Sequence, residues 1–177
     1  MSTVPKLTFV IGGARSGKSR YGESVIATLP PPWQPPWTYV ATAEALDAEM
    51  AERIAAHRGR RGPNWRTIEA PRDLAAALRQ CTTTPILVDC LTLWLSNHLL
   101  ADADIDLEMA RLEDALAAAK TPIVLIANEV GSGIVPDHAL GRKFRDLQGV
   151  LNQRMAARAD RVVLVVAGLP LALKGSL

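Results

Sequence analysis

Apolar residues along this chain fall into short, nearly continuous runs separated by longer amphipathic stretches. Leu7-Thr8-Phe9-Val10-Ile11, Pro85-Ile86-Leu87-Val88-Asp89, Pro122-Ile123-Val124-Leu125-Ile126-Ala127 and Arg161 to Ala167 are runs of the first kind. Such runs predict strands covered on both faces, as in a parallel sheet. Thr38 to Thr42 and Trp65 to Ala70 read as shorter strands. Between them, helices are predicted over Ser19 to about Leu29, Glu44 to Ala56, Arg72 to Gln80, Leu91 to Leu100, Asp104 to Lys120 and His138 to Ala159. In the second of these, Leu46, Met50, Ile54 and His57 share one face. Leu171 to Lys174 adds a short antiparallel piece after a turn at Gly168 to Pro170. Pro30-Pro31-Pro32 and Pro35-Pro36 forbid helix and central strand and mark a surface connection, where Trp33 and Trp37 either pack the loop onto the domain or cover a ligand. Strand–helix alternation along the chain predicts an α/β fold with a mostly parallel central sheet.

Composition narrows the class without naming the chemistry. The length of 177 residues suits one domain, 1–177, with no linker, repeat or low-complexity tract to divide it. A net charge of +2 argues against a protein that coats nucleic acid. The arginines at 58–61 lack interleaved stacking aromatics, so an RNA-binding patch there is poorly supported. Two cysteines, Cys81 and Cys90, neither build a disulfide scaffold nor show zinc-site spacing. No apolar run reaches the length of about 18 residues that a membrane span needs, and no long apolar segment opens the chain, so the expected location is cytoplasmic.

The candidate chemistry starts at Gly12-Gly13-Ala14-Arg15-Ser16-Gly17-Lys18-Ser19, which joins the first strand to the first helix. This fits the phosphate-binding P-loop pattern. Glycines let backbone N–H groups surround phosphate oxygens, and the helix directs its positive end at the anion. Lys18 then reaches the outer phosphates and Ser19 can hold Mg2+. Asp89 ends a buried strand at the carboxyl edge of the sheet, where a magnesium ion beside a P-loop needs a carboxylate. The turn Asn128-Glu129-Val130-Gly131-Ser132-Gly133 follows another strand end and is a good place for substrate contacts. His57, followed by Arg58-Gly59-Arg60-Arg61, reads either as a helix-terminal histidine with solvated arginines or as an imidazole beside phosphate-binding guanidiniums. These residues indicate nucleoside triphosphate binding with magnesium and leave phosphoryl transfer, hydrolysis and regulatory switching open.

Further segments carry a resemblance. Gly12 to Arg20, Tyr39-Val40-Ala41-Thr42-Ala43, Asp47 to Met50, Arg53 to Arg58, Trp65 to Glu69, Leu87 to Thr92, Asn128 to Pro136, Phe144 to Leu147 and Asn152 to Arg154, in that order, resemble the bifunctional adenosylcobinamide kinase/adenosylcobinamide-phosphate guanylyltransferases of cobalamin biosynthesis. The resemblance implies a P-loop NTPase (RecA-like) three-layer domain, a homotrimer, and two reactions. ATP or GTP phosphorylates adenosylcobinamide, and GMP then passes from GTP through a guanylylated histidine to adenosylcobinamide phosphate. It implies His57 as the nucleophile, with Lys18 catalytic in the P-loop. Ala41, Thr42, Ala43, Arg58, Gly59, Arg60, Arg61, Glu69 and Asp89 match nucleotide-contacting positions, Glu69 being suited to the guanine N–H edge. Ala56 stands where some members carry a second histidine, and His98 and His138 fall outside the motif. The alternative is a single-activity P-loop kinase of small molecules.

Overall fold

The computed structural model describes residues 4–44, 52, 59 and 62–177. Most of the helix expected over Glu44 to Ala56 lies outside them, as do His57, Arg58, Arg60 and Arg61. The strands are β1 (Leu7–Gly12), β2 (Trp37–Ala41), β3 (Trp65–Glu69), β4 (Ile86–Asp89), β5 (Ile123–Asn128), β6 (Arg161–Val166) and β7 (Leu169–Lys174). They form one seven-stranded sheet in the order β3-β2-β4-β5-β1-β6-β7. Strands β1 to β6 run parallel, and β7 returns antiparallel to β6.

The helices are α1 (Lys18–Ala27), α2 (Leu74–Gln80), α3 (Leu91–Leu100), α4 (Ile105–Ala118) and α5 (Ala139–Arg158). Three begin at side-chain caps that satisfy backbone donors in the first turn: Asp73 accepts from Ala76 N at 3.2 Å, Asp104 from Leu107 N at 3.0 Å, and His138 Nδ1 from Gly141 N at 3.0 Å. Because Asp73, Asp104 and His138 act as caps, each helix starts one or two residues after its predicted beginning.

Side chains alternate between the two faces of the sheet, and each face has its own core. Ile26 of α1 packs with Val10, Leu87, Val124 and Ile126 on one face. On the other, Leu74, Leu91, Trp94, Leu112, Leu151 and Met155 of α2 to α5 cover Phe9, Val88 and Leu125. Helices on both faces make the predicted three layers. Trp37 belongs to the first core, its ring centroid 5.3 Å from that of Trp65, so it packs the proline-rich connection onto the domain. Among the described residues, no helix is long and apolar enough to cross a membrane.

Candidate active site

The carboxyl ends of the parallel strands bring the scattered candidates to one edge. Along it, Ala41 pairs with both Glu69 and Asp89, Asp89 with Ile126, and Asn128 with Gly12. Thus the structure gathers the P-loop, Asp89, the 41–43 segment and Glu69, with Glu69 exposed at the far end beside a cavity of about 530 Å³ that Arg72, Asp73 and Gln80 also line. Gly59 is exposed, while His57, Arg58, Arg60 and Arg61 lie outside the described residues.

The P-loop is built by close approach. A Cβ on Gly12 would come within 2.5 Å of Val165 O and 2.6 Å of Ser16 Oγ, so only glycine fits there. Gly17 has φ 96°, in the left-handed region glycine favours, and its α-carbon faces Gly168 so closely that a Cβ would lie 3.2 Å from Gly168 Cα. The β6–β7 turn braces the loop, since Gly168 N donates to Ser16 O at 2.8 Å. Gly13, Ala14 and Arg15 are exposed, as a phosphate cradle requires. Buried Ser16 has an Oγ with no hydrogen-bond partner, a polar atom waiting inside the loop.

Lys18 is nearly buried, and its ammonium donates to Gly13 O at 3.1 Å. Burial lowers its pKa, while Cys90 and the Asp89 carboxylate oppose that shift. Asp89 Oδ2 accepts from the Tyr39 hydroxyl at 2.8 Å. Burial, reinforced by Asp89, pushes the neighbouring Cys90 thiol up to about 11, so Cys90 stays protonated at neutral pH. Thr42 is fully buried: its hydroxyl donates to Cys90 O at 2.7 Å and accepts from Cys90 N at 2.8 Å. Its side chain therefore ties β2 to the end of β4.

The other histidines have structural partners. His98 packs against Trp94 at 4.8 Å between ring centroids and meets Arg72 O at 3.1 Å, while His138 caps α5. Sequence reading missed Tyr39 as the partner of Asp89 and Gly168 as the brace of the P-loop. The only signal for the first was an aromatic residue in a strand, and for the second an Ala-Gly turn between apolar runs.

A model of the family described as cobinamide kinase/cobinamide phosphate guanyltransferase matches residues 8–173. The chain belongs to this family. It is 46% identical over 170 residues to the bifunctional adenosylcobalamin biosynthesis protein CobP of Pseudomonas aeruginosa strain PAO1, covering 94% of this chain and 96% of that protein. Identity to the corresponding protein CobU of Salmonella typhimurium strain LT2 is 39% over 185 residues, covering 95% of this chain and 99% of the relative. Two solved structures share the fold at low identity. A KaiC-like protein from Pyrococcus horikoshii OT3 has a TM-score of 0.50 at 10% identity, covering 90% of this chain and 70% of its own. An ATPase of a bacterial type III secretion system has a TM-score of 0.52 at 13% identity, covering 94% and 56% respectively. In this family member the expected P-loop NTPase fold is present, with a mostly parallel sheet and its P-loop on the interior strand β1.

Proposed function

We infer that the cobinamide kinase and cobinamide-phosphate guanylyltransferase reactions of this bifunctional enzyme draw on one nucleotide site in a single catalytic domain. The observation that carries the reading is that strand pairing brings the P-loop and Asp89 to the same carboxyl edge of the sheet, in a chain of this family. In the first reaction the hydroxyl of the aminopropanol arm of adenosylcobinamide receives the γ-phosphoryl group of ATP or GTP. P-loop amides and Lys18 hold the phosphates and offset the charge that spreads over the transferred group.

The residues present fit a magnesium ion. Ser19 and Asp89 offer hard oxygen donors, and no group of three or more His, Cys, Asp and Glu among the described residues forms an all-protein cage. A magnesium ion of the kind held by one or two carboxylates plus substrate phosphates suits such a site. Ser19 and Asp89 would hold it, and when bound it would neutralise phosphate charge. Tyr39 fixes the orientation of the Asp89 carboxylate for this role.

In the second reaction His57 attacks the α-phosphorus of GTP, pyrophosphate leaves, and GMP remains on the imidazole. An oxygen of adenosylcobinamide phosphate then displaces the histidine, giving adenosylcobinamide-GDP. Arg58, Arg60 and Arg61 hold the triphosphate and the departing pyrophosphate, with Gly59 among the nucleotide-contacting positions, and Glu69 accepts from the guanine N–H edge. The family resemblance of the motif around His57 supports these roles. The experiment is incubation with α-labelled GTP: acid-labile GMP on the wild-type protein and none on His57→Ala is the expected result, and undiminished labelling of the variant would sink the histidine mechanism. The working form is a cytoplasmic homotrimer with no nucleic-acid partner. Exposed Val166, Leu169 and Leu171 supply apolar surface suited to subunit contact, and light scattering would measure the mass.

A further inference from the structure

Strand β5 lies between β1, which carries the P-loop, and β4, which ends in Asp89. Glu129 is the first residue beyond β5, so it emerges between the phosphate cradle and the Asp89 strand. Its backbone N–H donates to Gly12 O at 3.0 Å. The next carbonyl along the loop, Gly13 O, accepts from the Lys18 ammonium at 3.1 Å. Glu129 is therefore anchored one peptide away from the group that marks where the outer phosphates sit.

The support beneath Glu129 comes from two further elements. Asn128 N donates to Thr92 Oγ1 of α3 at 2.7 Å, and Asn128 O accepts from Asn152 Nδ2 of α5 at 3.2 Å. Asn152 Oδ1 in turn accepts from fully buried Gln148 at 2.8 Å. A strand end held this way fixes the backbone from which the Glu129 side chain extends. The carboxylate itself is half-buried: Oε1 accepts from Gly131 N, and Oε2 has no partner among the described residues. Other carboxylates at this edge are engaged, Asp89 with Tyr39 and Glu44 with Arg72 at 3.2 Å.

We propose that Glu129 is the general base of the kinase step, a role that rests on the kinase reading above. Its Oε2 takes the proton of the acceptor hydroxyl as that oxygen bonds to the γ-phosphorus. The bond from the γ-phosphorus to the bridging oxygen breaks, and its electron pair leaves with the nucleoside diphosphate. The proton then passes from Glu129 to solvent. Asp89, committed to Tyr39 and suited to a metal, takes no part in this transfer.

Glu129→Gln tests the assignment, because the amide oxygen can still accept from Gly131 N while the base is gone. Purified wild-type and variant proteins are assayed with adenosylcobinamide, Mg2+ and ATP, alongside titration with a fluorescent GTP analogue. The expected result is a fall in kcat for phosphorylation of about 10²- to 10⁴-fold with nucleotide affinity and acceptor KM retained. Glu129→Asp, which keeps a carboxylate, should recover part of the rate. A Gln variant with wild-type kcat would overturn the assignment. So would parallel loss of rate and nucleotide affinity, which would make Glu129 a shaper of the turn. Absence of phosphorylation by the wild-type protein would instead remove the kinase reading on which the assignment rests.

Discussion

Lys18 shows how a single side chain can carry opposing demands. Burial works against its charge, while the negative neighbourhood of Asp89 helps retain the charge that the proposed phosphate contacts need. Charge-assisted hydrogen bonds contribute about 1.5–3 kcal/mol, so Lys18→Ala should weaken nucleotide binding by about tenfold to a hundredfold. Calorimetric titration with GTP measures this directly. Tyr39→Phe removes the hydroxyl that donates to Asp89 and leaves the ring, which packs edge-on to Trp65 at 6.0 Å between centroids. The fold should therefore survive, while the magnesium concentration giving half-maximal phosphorylation rises; an unchanged magnesium titration would show that Tyr39 does not orient Asp89.

The helices that back the sheet are locked by charge as well as by apolar packing. Glu113 of α4 accepts from Arg154 at 2.6 Å and from Arg158 at 2.7 Å, both on α5. Hydrogen bonding to Arg154 leads the causes that hold the Glu113 carboxyl down at about 2, against its ordinary 4.5. A lowered carboxyl pKa stabilises the fold above the ordinary value, and the contribution disappears as pH falls from about 4.5 through about 2. Glu113→Gln should thus cost about 2 kcal/mol in urea unfolding at pH 7, with the difference from wild type shrinking below pH 4. Equal destabilisation at both pH values would assign the loss to packing.

The β6–β7 hairpin is a second link between elements. Ala167 and Gly168 have φ 52° and 81°, as a two-residue turn with both central residues left-handed requires. Its Gly168 N–H holds the P-loop through Ser16 O. Gly168→Val should destabilise the protein and weaken nucleotide binding together, since a β-branched residue at this φ disturbs both the turn and the loop it braces; thermal melts with and without GTP separate the two effects.

Across the whole molecule, the site is a line of strand ends supplied by segments far apart in the chain. Helix boundaries were legible to within a few residues because the apolar periodicity and the caps Asp73, Asp104 and His138 are local features. The P-loop and Asp89 were legible for the same reason, each being a short motif tied to the end of an apolar run. Tyr39 bonding to Asp89, or Thr42 bonding to Cys90, was not, because those contacts join residues about fifty positions apart through the pairing of β2 with β4. Apolar periodicity records which face of a strand is buried, but it carries no signal for which strand lies alongside. The sequence by itself determined a P-loop motif on an α/β alternation, since that motif is written in eight consecutive residues. Only the tertiary structure decided that β5 separates β1 from β4, so that Glu129 opens between the phosphate cradle and Asp89. Strand order is a property of long-range packing and hydrogen bonding, to which no local stretch of sequence answers.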